Sequence, residues 1–226
     1  MEQQIILYHG SPKIVERPFF GGGRPNNDYG PCLYCTESID LACEWARPEA
    51  WAGFVNKYYL ENEGLAVLNL SEKPCHVLNW LAILLQNRHF YIPQGLASEA
   101  RAYILSEFLT DCSGYDLIKG WRADDSYFSF AKAFLNGGIS LEQLSAAMEL
   151  GQLGEQIVLK SEKAFERIHY LGATPAPDVY AARRKARDDS AREDFFRLKS
   201  TTEPLAGTYI LDILRGKWKN DDERLR

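Results

Sequence analysis

The 226-residue chain has no apolar run approaching the ~20 residues that a membrane-spanning helix needs. Its longest apolar stretch, Val77 to Leu85, is broken by Asn79, so no membrane partner is expected. The opening Met1-Glu2-Gln3-Gln4 lacks the basic start and apolar core of a secretory signal, which makes a cytoplasmic chain the expectation. Cysteine is scarce: five residues, an odd number without framework spacing, read as reduced thiols rather than a disulfide scaffold. Excess positive charge is also missing. Lys plus Arg number 26 against 31 Asp plus Glu, a net charge of −5, so the molecule as a whole is not built to coat nucleic acid or anionic lipid. No internal repeat is visible. What remains, 46% apolar and 25% charged residues, is the composition of a globular domain large enough to bury a core, with room for an appendage.

Along the chain, Gln4 to Tyr8 is a β-prone run that ends at His9-Gly10-Ser11-Pro12, a strand delivering a histidine to its tip. The glycine-rich stretch from Glu16 to Gly30 must be a loop, and a loop of that length usually carries function. Cys32 to Thr36 reads as a second strand, and the spacing of Ile39, Leu41, Ala42, Trp45 and Ala46 as a helix capped by Thr36 or Ser38. Phe54 to Leu70 predicts an antiparallel hairpin turning at Glu61-Asn62-Glu63-Gly64. Helices are expected over Val77 to His89, Ser98 to Cys112, Ser126 to Leu135 and Leu141 to Leu150, the last opened by the capping box Ser140 and Gln143. Strands are expected at Tyr115 to Gly120 and Gln156 to Lys160, a short helix at Glu162 to Ile168, and a strand at His169 to Leu171. The glycine and prolines of Gly172 to Pro177 mark a boundary. The expected organisation is a domain over residues 1–172 and a charged helical extension over residues 173–226, in which Val179 to Lys199 reads as a solvated helix rich in arginine.

Three motifs carry chemistry. Leu7-Tyr8-His9-Gly10-Ser11 resembles the opening strand of the NAD-dependent ADP-ribosyltransferase superfamily, in its diphtheria-toxin and poly(ADP-ribose) polymerase-like, His-Tyr-Glu branch. Gly30-Pro31-Cys32-Leu33-Tyr34-Cys35-Thr36, followed by Trp45, is similar to that branch's second strand and the helix after it. Gly154-Glu155-Gln156-Ile157-Val158-Leu159 is similar to the late strand that bears the catalytic acid. The same order of motifs, with Asp28-Tyr29-Gly30 and Ala123-Asp124-Asp125 between them, resembles a bacterial family known as a domain of unknown function and often found beside antitoxin-like genes. The resemblance spans roughly residues 4 to 171. It departs from the branch at Cys32, where glycine is common, and at Ala42, where polymerases carry a serine.

The resemblance implies an α+β fold of two small, mostly antiparallel sheets around an NAD cleft. It implies that His9, Gly10, Ser11, Tyr34 and Trp45 bind NAD, with the nicotinamide ring held between the Tyr34 and Trp45 faces. Gly10 would expose its backbone to the flat amide. His9, Tyr34 and either Glu155 or Gln156 would be catalytic, and strand alternation allows only one of the last two to face the cleft. A direct overlay favours Glu155. A register one residue later favours Gln156, a neutral amide that still hydrogen-bonds a ribose hydroxyl. Asp124 and Asp125 are either acceptor-site acids or helix caps. The implied activity is mono-ADP-ribosyl transfer by a toxin of a toxin–antitoxin or phage-defence system, with nucleic acid favoured over protein as acceptor and an antitoxin as partner. No metal is required; the Cys32-x-x-Cys35 spacing lies within a strand and is not a zinc finger. The competing reading is an NAD-binding interaction module with reduced catalysis.

Overall fold

The structure, a computed structural model, describes residues 4–47, 52–123, 125–149, 155–201 and 207–225. Its strands form two sheets. In the first, β1 (Gln4–Ser11), β3 (Phe54–Glu61) and β7 (Ile168–Pro175) run antiparallel in the order β1-β3-β7. In the second, the order is β2 (Leu33–Cys35), β6 (Glu155–Leu159), β5 (Leu117–Trp121) and β4 (Val67–Asn69), and only the β4–β5 pair is parallel. Among the described residues a single bridge joins the sheets: Tyr8 and Thr36 exchange backbone N–H···O bonds of 2.8 and 2.9 Å. Among the described residues eight helices surround them, and the fold is α+β with two small sheets as the sequence implies.

Three features differ from the sequence reading. β1 does not end at Tyr8 but runs on through His9 and Gly10 to Ser11, because β3 pairs with its whole length, Ser11 opposite Phe54. The hairpin expected over residues 54–70 does not form. Its first arm, β3, is taken up by β1 and β7, while the second, β4, pairs in parallel with β5 in the other sheet. Strand propensity sets that both arms are extended and carries no information on which partner each finds. β7 continues past Gly172 to Pro175. As an edge strand it tolerates proline, and it adjusts register with a bulge opposite Lys57 and Tyr58 that leaves Leu171 unpaired, next to Gly172 at φ 145°.

Two cores flank the four-stranded sheet. On one face, Ile118 and Val158 pack under α2 (Val77–Asn87), whose Leu78, Trp80, Leu81 and Leu84 are buried together with Phe108, Phe130 and Phe134 from α3 (Leu96–Glu107), its C-cap, and α4 (Asp125–Leu135). On the other face, Leu33, Cys35, Ile157 and Leu159 meet Leu7 and Leu60 of the first sheet. Burial of this kind stabilises by roughly 25 cal/mol per Å² of apolar surface. α5 (Leu141–Glu149) opens with the expected capping box, Ser140 and Gln143 each bonding the other's backbone N–H at 2.8 and 3.2 Å. α6 (Glu162–Glu166) is capped by Ser161.

α1 (Ile39–Ala46), capped by Ser38, lies on the outer face of β1 and β3, where Ala42, Cys43 and Ala46 pack on Val55. α7 (Val179–Thr201) is the charged helix expected, but it is not solvated all round. Asp40, Glu44 and the C-cap Arg47, about one turn apart along α1, bind α7 and the residue before it: the Tyr180 hydroxyl donates to Asp40, Arg187 Nη2 meets Glu44 Oε2 at 2.5 Å, and Arg47 meets Asp178 at 2.6 Å. α8 (Ile210–Gly216) sends Ile210 and Ile213, followed by Trp218, into the larger core. No described helix is long and apolar enough to cross a membrane.

The α1–α7 seam rests on polar pairs, so removing one partner strands the other. Arg187→Ala leaves the Glu44 carboxylate, 8% exposed, without its nearest cation and is expected to cost about 3 kcal/mol in urea unfolding. A loss below ~1 kcal/mol, the range of exposed pairs, contradicts this packing.

Candidate functional site

The junction of the two sheets collects most of the residues singled out in the sequence. His9 follows Tyr8, the bridging residue, and its Nδ1 lies 2.7 Å from the backbone oxygen of Tyr34. A carbonyl only accepts, so Nδ1 carries the hydrogen and a neutral ring keeps Nε2 as an acceptor. Burial lowers the His9 pKa, partly opposed by the bond to Tyr34. Ser11 is buried and accepts from the N–H of Lys13 at 3.3 Å, while Asn56, also buried, ties the end of β1 to the chain after it through the His9 oxygen, the Lys13 oxygen and Val15 N–H.

Gly10 has a packing role beside the one the resemblance implies. A Cβ there would lie 2.2 Å from the oxygen of Ala42 and 2.7 Å from the nitrogen of Ala46, so the missing side chain is the seat of α1 against β1. The space is taken by helix backbone.

The Tyr34 hydroxyl donates to Gly30 O at 2.6 Å and accepts from Tyr29 N–H at 3.0 Å, and burial pushes its pKa well up. These bonds bind the end of the glycine-rich loop to β2. Trp45, on α1, has the Arg122 guanidinium 4.9 Å from its ring centroid. Its Nε1 is buried and has no hydrogen-bond partner among the described residues, and a buried donor in that state calls for an acceptor.

Glu155 and Gln156 are separated by the strand alternation. In the ladder Tyr34 pairs with Val158, so Gln156, two residues earlier, shares the Tyr34 face and Glu155 lies on the other. Glu155 is half-exposed and bound to Lys119 at 2.8 Å. Burial would raise its pKa, but the Lys119 ammonium, first among the opposing groups, outweighs this and holds it below the usual range. Gln156 is 2% exposed. Its Nε2 donates to Asp28 Oδ2 at 3.2 Å and to the oxygen of Trp121 at 3.3 Å. The two side chains therefore lie in different surroundings, Glu155 in a half-exposed ion pair and Gln156 in a buried hydrogen-bonded set.

Asp28 is the residue that sequence reasoning passed over. It sits in the loop expected to be exposed, yet it is 6% exposed. Oδ2 also accepts from Ala123 N–H at 2.9 Å, and Oδ1 lies 3.5 Å from Arg88 Nε. Burial raises its pKa, opposed by Ala123, Arg88, Gln156 and Arg122 in that order. The one signal in the sequence was an acid directly before Tyr29-Gly30; nothing local marked Arg88 or Arg122. Asp124 lies outside the described residues, and Asp125 opens α4. The Cys32 thiol donates to Tyr29 O, and burial pushes its pKa up to about 11, so it is no ready nucleophile. Two surface cavities of about 360 and 350 Å³ lie elsewhere, around Lys73–Cys75 with Leu225 and around β4 with Asn220.

Fold and site together define an α+β protein whose two sheets meet at a histidine–tyrosine contact above a buried acid–amide pair. A family model described as "Protein of unknown function (DUF3990)" matches residues 5–170, and the chain belongs to that family. No curated protein and no solved structure matches it.

Two outcomes follow. Gly10→Ala is expected to cost about 3 kcal/mol, since the obstruction is helix backbone that cannot swing aside; thermal or urea unfolding within ~0.5 kcal/mol of wild type contradicts the packing. A histidine whose folded pKa lies below its unfolded value of 6.5 stabilises fully above that pH and loses its contribution as pH falls through 6.5 toward the folded value. His9→Asn should therefore lose less melting temperature than wild type between pH 7.5 and 5.5, and equal losses contradict the buried neutral imidazole.

Proposed function

We propose that this chain is an NAD-dependent mono-ADP-ribosyltransferase with an ADP-ribosyltransferase-like fold, whose site is formed by His9, Tyr34, Trp45 and Gln156. The observation that carries the reading is the His9 Nδ1 to Tyr34 O contact of 2.7 Å across the sheet junction, on a strand pair whose Tyr34 face continues to Gln156. NAD fits the residues present. Trp45 offers an aromatic surface and a buried N–H without a partner among the described residues, and His9 Nε2 and the Gln156 amide suit ribose hydroxyls. Arg122 covers one face of Trp45, so a stacked ring takes the other face or displaces the guanidinium.

In the reaction the bond from C1′ of the ribose to the nicotinamide nitrogen breaks, and its electron pair leaves with neutral nicotinamide. The acceptor nucleophile forms the new bond to C1′ and gives up its proton. The chain contributes orientation of the ribose by His9 and Gln156 and stacking on the rings, a preorganised arrangement needing little covalent chemistry. Ring stacking adds ~0.5–1.5 kcal/mol per pair beyond burial.

A toxin acting on a macromolecular acceptor remains the proposed setting, with an antitoxin as partner. For nucleic acid over protein the support is thinner than the sequence suggested, because Arg184, Arg187, Arg192 and Arg197 of α7 are paired with carboxylates. The fate of label transferred from NAD, in nuclease-sensitive or protease-sensitive material, separates the two. The neutral Gln156 in place of an acid favours a second reading, an NAD-binding module with reduced catalysis, which binding without cleavage would establish.

The test is NAD cleavage and binding by the full chain and by folded variants. Tyr34→Ala, Trp45→Ala and Gln156→Ala are each expected to lower cleavage about 100-fold, Trp45→Phe to retain most of it, and Glu155→Gln to stay within about 3-fold. Loss in Glu155→Gln with retention in Gln156→Ala places the site on the other strand face.

A further inference from the structure

The Gln156 carboxamide has its donors spent inside the protein. Its Nε2 faces Asp28 Oδ2 and the Trp121 oxygen at 3.2 and 3.3 Å. The Trp121 oxygen also receives Tyr29 OH at 2.9 Å and Trp80 Nε1 at 3.1 Å. A carbonyl cannot donate, so the amide cannot turn over without setting its own oxygen against an acceptor. With both hydrogens used, Oε1 is the only group Gln156 has left to offer.

We propose that Asp28 is a positioning residue that locks the Gln156 carboxamide with Oε1 turned away from Asp28 and the Trp121 oxygen, so that this position accepts a hydrogen bond from a ligand hydroxyl, a ribose hydroxyl of NAD on the reading above, on which this assignment rests. The lock also bears on the residue type. A glutamate at 156 would bring an oxygen, not an N–H, to Asp28 and Trp121, so these two acceptors call for an amide at this position. Asp28 is itself tied to Ala123 N–H and faced by Arg88, which anchors the lock to the β5–α4 junction and to the end of α2.

The experiment measures kcat and KM for NAD cleavage, with NAD binding, on the full chain of wild type, Asp28→Asn, Asp28→Leu and Gln156→Glu. It adds the exchange rate of the Gln156 side-chain amide protons in ¹⁵N-labelled wild type, which needs no variant to fold. Asp28→Asn keeps an oxygen for both donors and should stay within about 5-fold in kcat. Asp28→Leu frees the amide and should lose about 30-fold or more in kcat with KM within about 3-fold, a split that a general loosening of the fold does not produce. Gln156→Glu should lose activity rather than gain it, and the wild-type amide protons should exchange about 100-fold slower than those of an exposed glutamine. Unchanged kcat in folded Asp28→Leu, faster turnover in Gln156→Glu, or a freely exchanging Gln156 amide overturns the lock and leaves the NAD reading standing. A protected amide in a wild-type chain that neither binds nor cleaves NAD overturns the NAD reading and the hydroxyl assigned to Gln156 with it.

Discussion

Two backbone hydrogen bonds between Tyr8 and Thr36 are the constraint on which the arrangement of this molecule depends. Each sheet is complete within itself, and among the described residues this is the one bridge outside the named strands. It sets β1 beside β2 at the point where His9 reaches the Tyr34 oxygen. The apolar contact of Leu7 with Leu33 and Cys35 supplies the driving force for bringing the sheets together, and it is non-directional. The bridge and the histidine contact supply the register.

Beneath the junction, the polar groups form one connected set. Asp28, Gln156, Tyr29 and the Trp121 oxygen share hydrogen bonds, with Trp80 and Ala123 adding donors. Such a set is costly if any member is left unpaired and specifying when all are satisfied. Two carboxylates ~3.5 Å apart at an effective dielectric of ~20 repel by ~5 kcal/mol, so a second acid beside Asp28 would need a proton to remain there. The amide at 156 meets the need for a donor without charge. This set also joins the glycine-rich loop to β5, β6 and α2, which is why a stretch with so little apolar surface is held in place.

Much of the fold was legible in the sequence because the signals concerned were local. The period of Ile39 to Ala46, the capping box at Ser140 and the apolar run of Ile157 to Leu159 each specify an element by themselves. Pairing was not legible. β4 lies in a parallel pair with β5 because of a partner about fifty residues away, and three-residue strands have too little pattern to choose one. Gly10 was identified as a place where a side chain is excluded, and the atoms that a side chain would meet are those of the α1 backbone, which local sequence does not disclose. Asp28 was hidden because an acid in a glycine-rich loop ordinarily faces water; its burial comes from Arg88, Ala123 and Gln156, all distant in sequence. α7 was read as a solvated helix because its apolar content gives no face, and its docking depends on Asp40, Glu44 and Arg47 of α1.

The most direct measurement is a crystal structure of the full chain with an NAD analogue whose ribose–nicotinamide bond cannot be cleaved. The nicotinamide end is expected at the β1–β2 junction, against Tyr34 and Trp45, with a ribose hydroxyl on Gln156 Oε1 and Glu155 still paired with Lys119. A ligand seated on the Glu155 face, or at either of the cavities beside Lys73 and Asn220, or no binding at millimolar concentration, contradicts it.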